Sequence, residues 1–471
     1  MILFVRKIKR IVEKSNFIMK LLFCVVIVFL IRAYMLFAKN KMVKKEEKGM
    51  AVHVVKSGES LWAISSNYGI PVSTIVRING LTPATNIVPG LALYIPQNGP
   101  LQIRHYQVNA RDSLWSIAQR YQTTVTAIIN ENPGLQTSAS LSVGQRLRIP
   151  SPIKMKIATL GFVLPFSLEA SIQSLEATAS HLSYLAVTAY ALTNQGYAFM
   201  RLNDSGLVER SRQLNVIPLL MIRNLTNQFS PELIGNVLRN PTTRNNLIMS
   251  LVHLAKQRGY GGVSIDFEFI PPARRNDFIL FLRELKARLG GLILHVNVHA
   301  KSEDLPQNPI VGGYDYRAIG AIADFVAVMT IDYGYPTGPP DPIAPIGWIE
   351  QVVQYATTQI NPRKLQISLP LYGYDKVVSS HVTAAMSVQG AQNLALTVEE
   401  PIQYDTNAQA PWFRYWRGID EHIVWFEDIR SYIEKYNLID QYQLLGTTFW
   451  HIGLTAPQHW EYMKNHIDVM K

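Results

Sequence analysis

Eight apolar runs between residues 154 and 471 constrain this chain more than any other feature of its sequence. They fall at 157–163, 182–192, 215–222, 261–269, 292–300, 324–333, 365–374 and 444–452, and amphipathic stretches such as NDFILFLRELKARLG (276–290) separate several of them. Near-continuous apolar runs of this length suit strands covered on both faces, whereas the spacers carry the helical period. Strand–helix alternation repeated eight times predicts an α/β protein built on a (β/α)8 barrel over 154–471. The stretch 375–425 is too long for a connecting loop and holds two alternating segments, TAAMSVQ and EEPIQYD, so a small α+β insertion is expected after strand seven.

The 471-residue chain has a formal net charge of +11, unevenly spread. Residues 1–50 hold 12 basic and 3 acidic side chains, residues 51–150 hold 7 and 3, and residues 151–471 hold 26 and 28. The near-neutral bulk argues against a nucleic-acid partner and leaves uncharged glycans open. A chain that is 48% hydrophobic and 17% charged builds cores rather than staying disordered. The lone cysteine, Cys24, excludes a disulfide framework and cysteine-based metal sites. His295, His299 and His451 lack ligand spacing with a carboxylate, so neither metal nor cofactor is expected.

Residues 1–50 read as a signal peptide or a membrane anchor with basic flanks. The eleven uncharged residues 21–31 (LLFCVVIVFLI) span about 16 Å as a helix, short of a ~30 Å bilayer core. With Arg32 snorkelling, 21–38 reaches about 27 Å. A start at Met19 gives a more compact signal. Either form brings the chain into contact with a membrane and delivers it to the cell envelope.

The chain also repeats itself at an offset of 53 residues. Ser60, Leu61, Trp62, Ile64, Tyr68, Val72, Ile75 and Asn79 recur as Ser113, Leu114, Trp115, Ile117, Tyr121, Val125, Ile128 and Asn132. The units, 51–98 and 104–151, each read strand–helix–helix–strand, with Ser60 and Ser113 as N-caps. Trp62 and Trp115 are expected in the core. Both units resemble LysM modules over 53–97 and 105–150. The resemblance implies binding of N-acetylglucosamine polymers such as peptidoglycan or chitin, in a groove between the first strand–helix loop and the second helix–strand loop. It assigns Gly58, Glu59, Ser60 and Asn79 to one groove and Asp112, Ser113 and Asn132 to the other, with Arg111 where a glycine usually stands. Two modules on one chain raise apparent affinity through effective concentration.

The fourth run, GGVSIDFEF, carries the chemistry. Strand period two sets Ser264, Asp266 and Glu268 on one face at the barrel mouth and turns Ile265 and Phe267 under the helices. Two carboxylates so close repel, and the inner one is expected to lift the pKa of the outer. This run resembles the D-x-x-D-x-D-x-E motif of glycoside hydrolase family 18. VMTIDYG (328–334) resembles that family's M-x-Y-D, and GTTFWHIG (446–453) puts Trp450 in its sugar-stacking position. GPPDPIAPIGW (338–348) and HIVWFED (422–428), with two LysM modules upstream, are similar to bacterial spore-germination cortex-lytic N-acetylglucosaminidases.

The resemblance implies substrate-assisted retaining hydrolysis without an enzyme nucleophile. Glu268 acts as acid and base, Asp266 orients the substrate's acetamido group, Asp332 assists there, Trp450 forms the floor, and Tyr372 a wall. Gly261 and Ser264 stand where the motif has its first two aspartates, and Ser264 is expected to bond Asp266. Ile331 stands where the family has Tyr, with Tyr333 at the same strand parity as a substitute. The competing readings are a catalytically decayed, lectin-like barrel and a structural envelope or spore-coat protein. The chain is expected to be a monomer.

Overall fold

The computed structural model describes residues 52–82, 87–96, 101–136 and 140–471. The signal or anchor expected at 1–50 lies outside them. Among the described residues no helix is long and apolar enough to cross a membrane.

Eight parallel strands form a closed ring: Met155–Val163, Tyr184–Leu192, Ile217–Arg223, Gly262–Asp266, Ile293–His299, Phe325–Met329, Leu365–Pro370 and Gly446–Trp450. Each pairs with its sequence neighbours, and the eighth pairs with the first to close the barrel. Helices including Leu168–Thr178, Pro241–Gln257, Arg275–Leu289, Ile346–Gln359 and Ile429–Gln441 surround it. The main core lies between strands and helices, where Val263, Ile265, Phe278, Phe281, Leu294, Val296, Val326 and Ile367 are fully buried or nearly so.

Three of the expected runs stop early. The fourth strand ends at Asp266 and the sixth at Met329, so Glu268 and Asp332 lie in the loops that follow. The seventh breaks at Leu371, and Tyr372–Val377 leaves the barrel. It joins Thr383–Ser387, Gln403–Asp405, Ala410–Arg417 and Asp420–Trp425 in a five-stranded antiparallel sheet backed by helix Val388–Thr397. The insertion therefore begins at Tyr372, three residues earlier than the sequence suggests.

Both repeats form two short helices between strands. Helix Leu61–Tyr68 is capped by Ser60, whose Oγ accepts from the Ala63 N–H. Ser113 builds a capping box with Ser116. Arg111 adopts φ 72°, matching φ 81° at Gly58, so the turn survives the loss of glycine. The expectation for the tryptophans is overturned: Trp62 is 75% exposed and Trp115 67%. Leu61 and Ile64 face the core, and a residue one step from Leu61 lies about 100° round the helix, on the solvent side.

The first module does not stand apart from the barrel. Its Ile75, Leu91, Leu93 and Ile95 share one core with Ala391, Leu396, Ile402, Phe413 and Phe426 of the insertion. At Gly90 (φ 84°) a side chain would run into the Ile402 carbonyl, so the close approach needs glycine. Asn79, assigned by resemblance to the glycan groove, is wholly buried. Its Nδ2 donates to the carbonyls of Ile75 (2.8 Å) and Tyr94 (3.0 Å), and its Oδ1 accepts from the Tyr94 N–H (2.7 Å) and Gln458 (2.9 Å). Gln389 and Asn393 then hold the Gly80 carbonyl at 2.9 and 3.0 Å. The second loop of this module thus docks on the insertion helix Val388–Thr397 and on Gln458, and Asn79 is corrected from a ligand contact to an internal pin.

The second module has its own core of Tyr106, Leu114, Ile117, Ile128, Leu147 and Ile149. It meets the barrel through Arg104, whose guanidinium forks onto Asp440 at 2.9 and 2.6 Å. Asn132 is half-buried and pins its loop to Ile128 and Arg148. Asp112 accepts from the Tyr106 hydroxyl (2.6 Å), the Asn109 N–H (2.8 Å) and Arg120 (3.1 Å). Burial alone would lift its pKa, but these partners outweigh that and hold it low.

Asn79→Ala is expected to destabilise the chain by about 2–4 kcal/mol, because buried partners lose their hydrogen bonds. Trp62→Ala should stay within about 0.5 kcal/mol. Denaturant unfolding of both variants checks the contrast.

Candidate active site

The C-terminal ends of the barrel strands open into a cavity of about 570 Å³. Asp266, Glu268, Asp332 and Trp450 all line it, together with Arg223, Asn297, His299, Tyr335 and Ser368. Phe162, Met221, Phe229, Phe269, Ile310, Met329, Ile331 and Pro336 make the rest of the wall apolar. Trp450 packs at 5.2 Å on Phe162 and presents its remaining face to the cavity.

Asp266 ends the fourth strand and is 4% exposed. Burial and the nearby Glu268 carboxylate push its carboxyl well above the ordinary range, and Arg223 opposes them. Ile265 and Phe267 turn outward under the helices, as strand parity requires. Glu268 lies beyond the strand, and its backbone is clamped by Asn224, which accepts from its N–H at 2.8 Å and donates to its carbonyl at 2.9 Å. Tyr314 donates to the preceding carbonyl of Phe267 at 2.7 Å. His299 Nε2 sits 3.2 Å from Glu268 Oε2, out of line for a hydrogen bond.

Asp332 follows the sixth strand in a left-handed conformation, φ 58°. The residue has an exposed outer face, but its carboxylate accepts from the hydroxyls of Tyr372 (2.5 Å) and Tyr374 (2.8 Å). Burial of the carboxyl raises its pKa, and the two phenols work against that rise. Tyr372 is therefore a support for Asp332 and does not line the cavity.

Two further expectations are corrected. Tyr333 packs on Trp348 at 5.3 Å and is not among the residues that line the cavity. The strand has ended and the turn at Asp332 has cancelled its parity, so Tyr335 takes the wall instead. Ser264 is fully buried one pleat below the cavity. Its Oγ meets His295 Nδ1 (2.9 Å) and accepts from Asn297 (3.3 Å), leaving Asp266 to other neighbours. Burial drives the His295 pKa down to about 3, which keeps the ring neutral.

The Tyr335 wall is held from behind by Lys376 of the insertion. This lysine is 2% exposed, and its ammonium donates to the carbonyls of Tyr335 (2.6 Å), Gly338 (3.0 Å) and Pro339 (2.8 Å). Trp425 Nε1 donates to the Pro340 carbonyl at 2.6 Å. The sequence stretches 338–348 and 422–428 thus belong to one brace. Glu427 forms a fully enclosed ion pair with Lys435 at 2.6 Å, and Asp428 caps helix Ile429–Gln441.

Arg223, Asn297 and Tyr335 were not singled out by the sequence. Arg223 faces Asp266 across the third and fourth strands. It follows the last apolar residue of its run, so strand-end position was the available signal. Among the described residues no group of three or more His, Cys, Asp or Glu is arranged to hold a metal ion.

A closed (β/α)8 barrel with a carboxylate pair and an aromatic floor at its mouth defines a glycosidase-type site. The family model for glycosyl hydrolases family 18 matches residues 181–454, and the LysM domain model matches 53–96 and 106–150. The chain belongs to glycosyl hydrolase family 18 and carries two LysM domains. It is 37% identical over 412 residues to the protein named "Putative sporulation-specific glycosylase YdhD" of Bacillus subtilis (strain 168), covering 86% of this chain and 96% of that one. It is 33% identical over 428 residues to the cortical fragment-lytic enzyme of Bacillus anthracis, covering 88% and 98%. The crystal structure of the Bacillus cereus spore cortex-lytic enzyme SleL superposes with a TM-score of 0.77 at 32% identity, over 89% of this chain and 98% of that one.

Two outcomes are expected from this geometry. A carboxyl whose native pKa is raised opposes folding above its unfolded pKa, and that penalty fades as pH falls to the unfolded value. Asp266→Asn should therefore raise the thermal midpoint at neutral pH, with the gain shrinking toward pH ~4. Its activity should fall by about 10²-fold or more. Lys376→Met should raise KM by about tenfold through loss of the Tyr335 wall, read by steady-state kinetics.

Proposed function

We propose that this chain hydrolyses N-acetylglucosaminyl bonds in peptidoglycan, in spore cortex or its fragments, outside the cytoplasm. The observation that carries this reading is the meeting of Glu268, Asp266, Asp332 and Trp450 in one cavity at the barrel mouth. The names of the B. anthracis and B. cereus relatives favour cortex as the substrate, and LysM domains suit attachment to an N-acetylglucosamine polymer.

The reaction we propose is the one that the family resemblance implies. Glu268 donates its proton to the glycosidic oxygen as the bond to the anomeric carbon breaks. The substrate's own acetamido oxygen attacks that carbon, forming an oxazolinium ion. Asp266 orients the acetamido group and balances the positive charge, and Asp332 assists beside it. Water deprotonated by Glu268 then opens the ring, and the configuration is retained. The apolar wall excludes bulk water while the ion exists.

Ile331 lines the cavity where the family resemblance led to Tyr, and that observation favours a second reading, a barrel that binds glycan without turnover. Release of reducing ends from cortex and vegetative peptidoglycan, with mass spectrometry of the products, decides between them. Glu268→Gln is expected to lower turnover by about 10³-fold. Wild type that yields no products from any N-acetylglucosamine polymer selects the binding reading.

A further inference from the structure

The chemistry above makes no use of Arg223. This residue ends the third barrel strand, faces Asp266 in register and lines the cavity. A guanidinium carries five donors, yet that of Arg223 makes neither a hydrogen bond nor an ion pair with any described residue. Other enclosed arginines behave differently: Arg104, Arg244 and Arg275 each hold a carboxylate at 2.6–3.1 Å. Burial lowers the pKa of Arg223, with Asp266 and Glu268 acting against that from a distance, and an arginine stays charged throughout. It is a fork of donors on the cavity wall, and none of its nitrogens is a buried atom lacking a partner.

The surroundings narrow what can fill it. Besides Arg223, the lining consists of apolar side chains, a few polar ones including His299, and the acidic residues Asp266, Glu268 and Asp332. Lys376 is spent on three carbonyls behind the wall. A neutral amino-sugar chain offers a guanidinium fork no anionic partner. Peptidoglycan does: every second sugar carries a lactyl arm that ends in a carboxylate, its own or that of the short peptide on it. Arg223 is a permanently charged cation in that lining, so an acidic arm entering the cavity meets it as a partner.

We infer that Arg223 is a specificity-determining residue that binds the carboxylate of the acidic arm on the sugar next to the cleaved N-acetylglucosamine, so that the cavity selects acidic peptidoglycan fragments over neutral chitin-type chains. A bidentate pair is the geometry a guanidinium favours for this. The inference rests on the peptidoglycan reading, and it is tested by binding, separately from turnover.

Full-length Glu268→Gln protein is titrated calorimetrically with three ligands: the acidic disaccharide N-acetylglucosaminyl–N-acetylmuramic acid, the same disaccharide with its carboxyl amidated, and neutral di-N-acetylchitobiose. The acid should bind about tenfold or more tightly than the amide. Adding Arg223→Gln should erase that preference while changing the affinity for the two neutral ligands less than threefold, and Arg223→Lys should keep part of it. A thermal midpoint for each variant confirms folding. The inference is overturned if acid and amide bind alike, if the preference survives Arg223→Gln, or if Arg223→Gln weakens all three ligands equally, since that assigns the guanidinium to balancing Asp266 and Glu268. Absence of binding by all three overturns it as well. Failure of the functional reading looks different: wild type releases no reducing ends, whatever the binding preference.

Discussion

Closure of the parallel sheet is the constraint on which the rest of this molecule depends. Backbone hydrogen bonds join the first strand to the second and to the eighth, leaving no free edge in the ring. Closure gives each strand residue one of two fates, the helical layer or the barrel interior. Ile265 and Phe267 go to the first, Ser264 and Asp266 to the second. It also brings the strand ends to one rim, so residues as distant in sequence as Arg223, Glu268, Asp332 and Trp450 line one cavity. The cost is a carboxyl in a place that water barely reaches, visible in the raised pKa of Asp266.

A second layer of construction hangs from the break at Leu371. By leaving the barrel there, the chain sends Tyr372 and Tyr374 to Asp332 and Lys376 to the loop at 335–339. The insertion thereby supports two parts of the cavity from outside it. On its far side the same insertion shares a core with the first LysM domain. Wall-binding domain, insertion and cavity wall form a continuous packed path.

Much of this was legible in the sequence, for reasons that also explain what was not. The eight barrel strands announced themselves because parallel strands under helices are apolar on both faces. Asp266 and Glu268 were found because strand parity still holds, or nearly so, at the end of GGVSIDFEF. Parity failed past Met329, where a left-handed turn at Asp332 redirected the chain and exchanged Tyr333 for Tyr335. Trp62 and Trp115 were misplaced because a helix of two turns covers only part of its circumference with core, and neighbouring residues point to different sides. The burial of Asn79 had no local signal at all, since its partner Gln458 lies 379 residues away. The segments 338–348 and 422–428 stood out as motifs, and their purpose emerged only when Trp425 and Pro340 met in space.

The shared core of the first LysM domain and the insertion changes what counts as the smallest transferable unit. Ile402, Phe413 and Phe426 are buried against Leu91, Leu93 and Ile95. A fully buried side chain of this kind contributes about 1.5–3 kcal/mol. A barrel cut free at residue 104 would present that face to water and invite aggregation. The second LysM domain keeps its own core and meets the barrel through polar pairs such as Arg104–Asp440 and Arg146–Glu350. The first LysM domain, by contrast, is part of the barrel's own folding unit, and removing it removes half of a core.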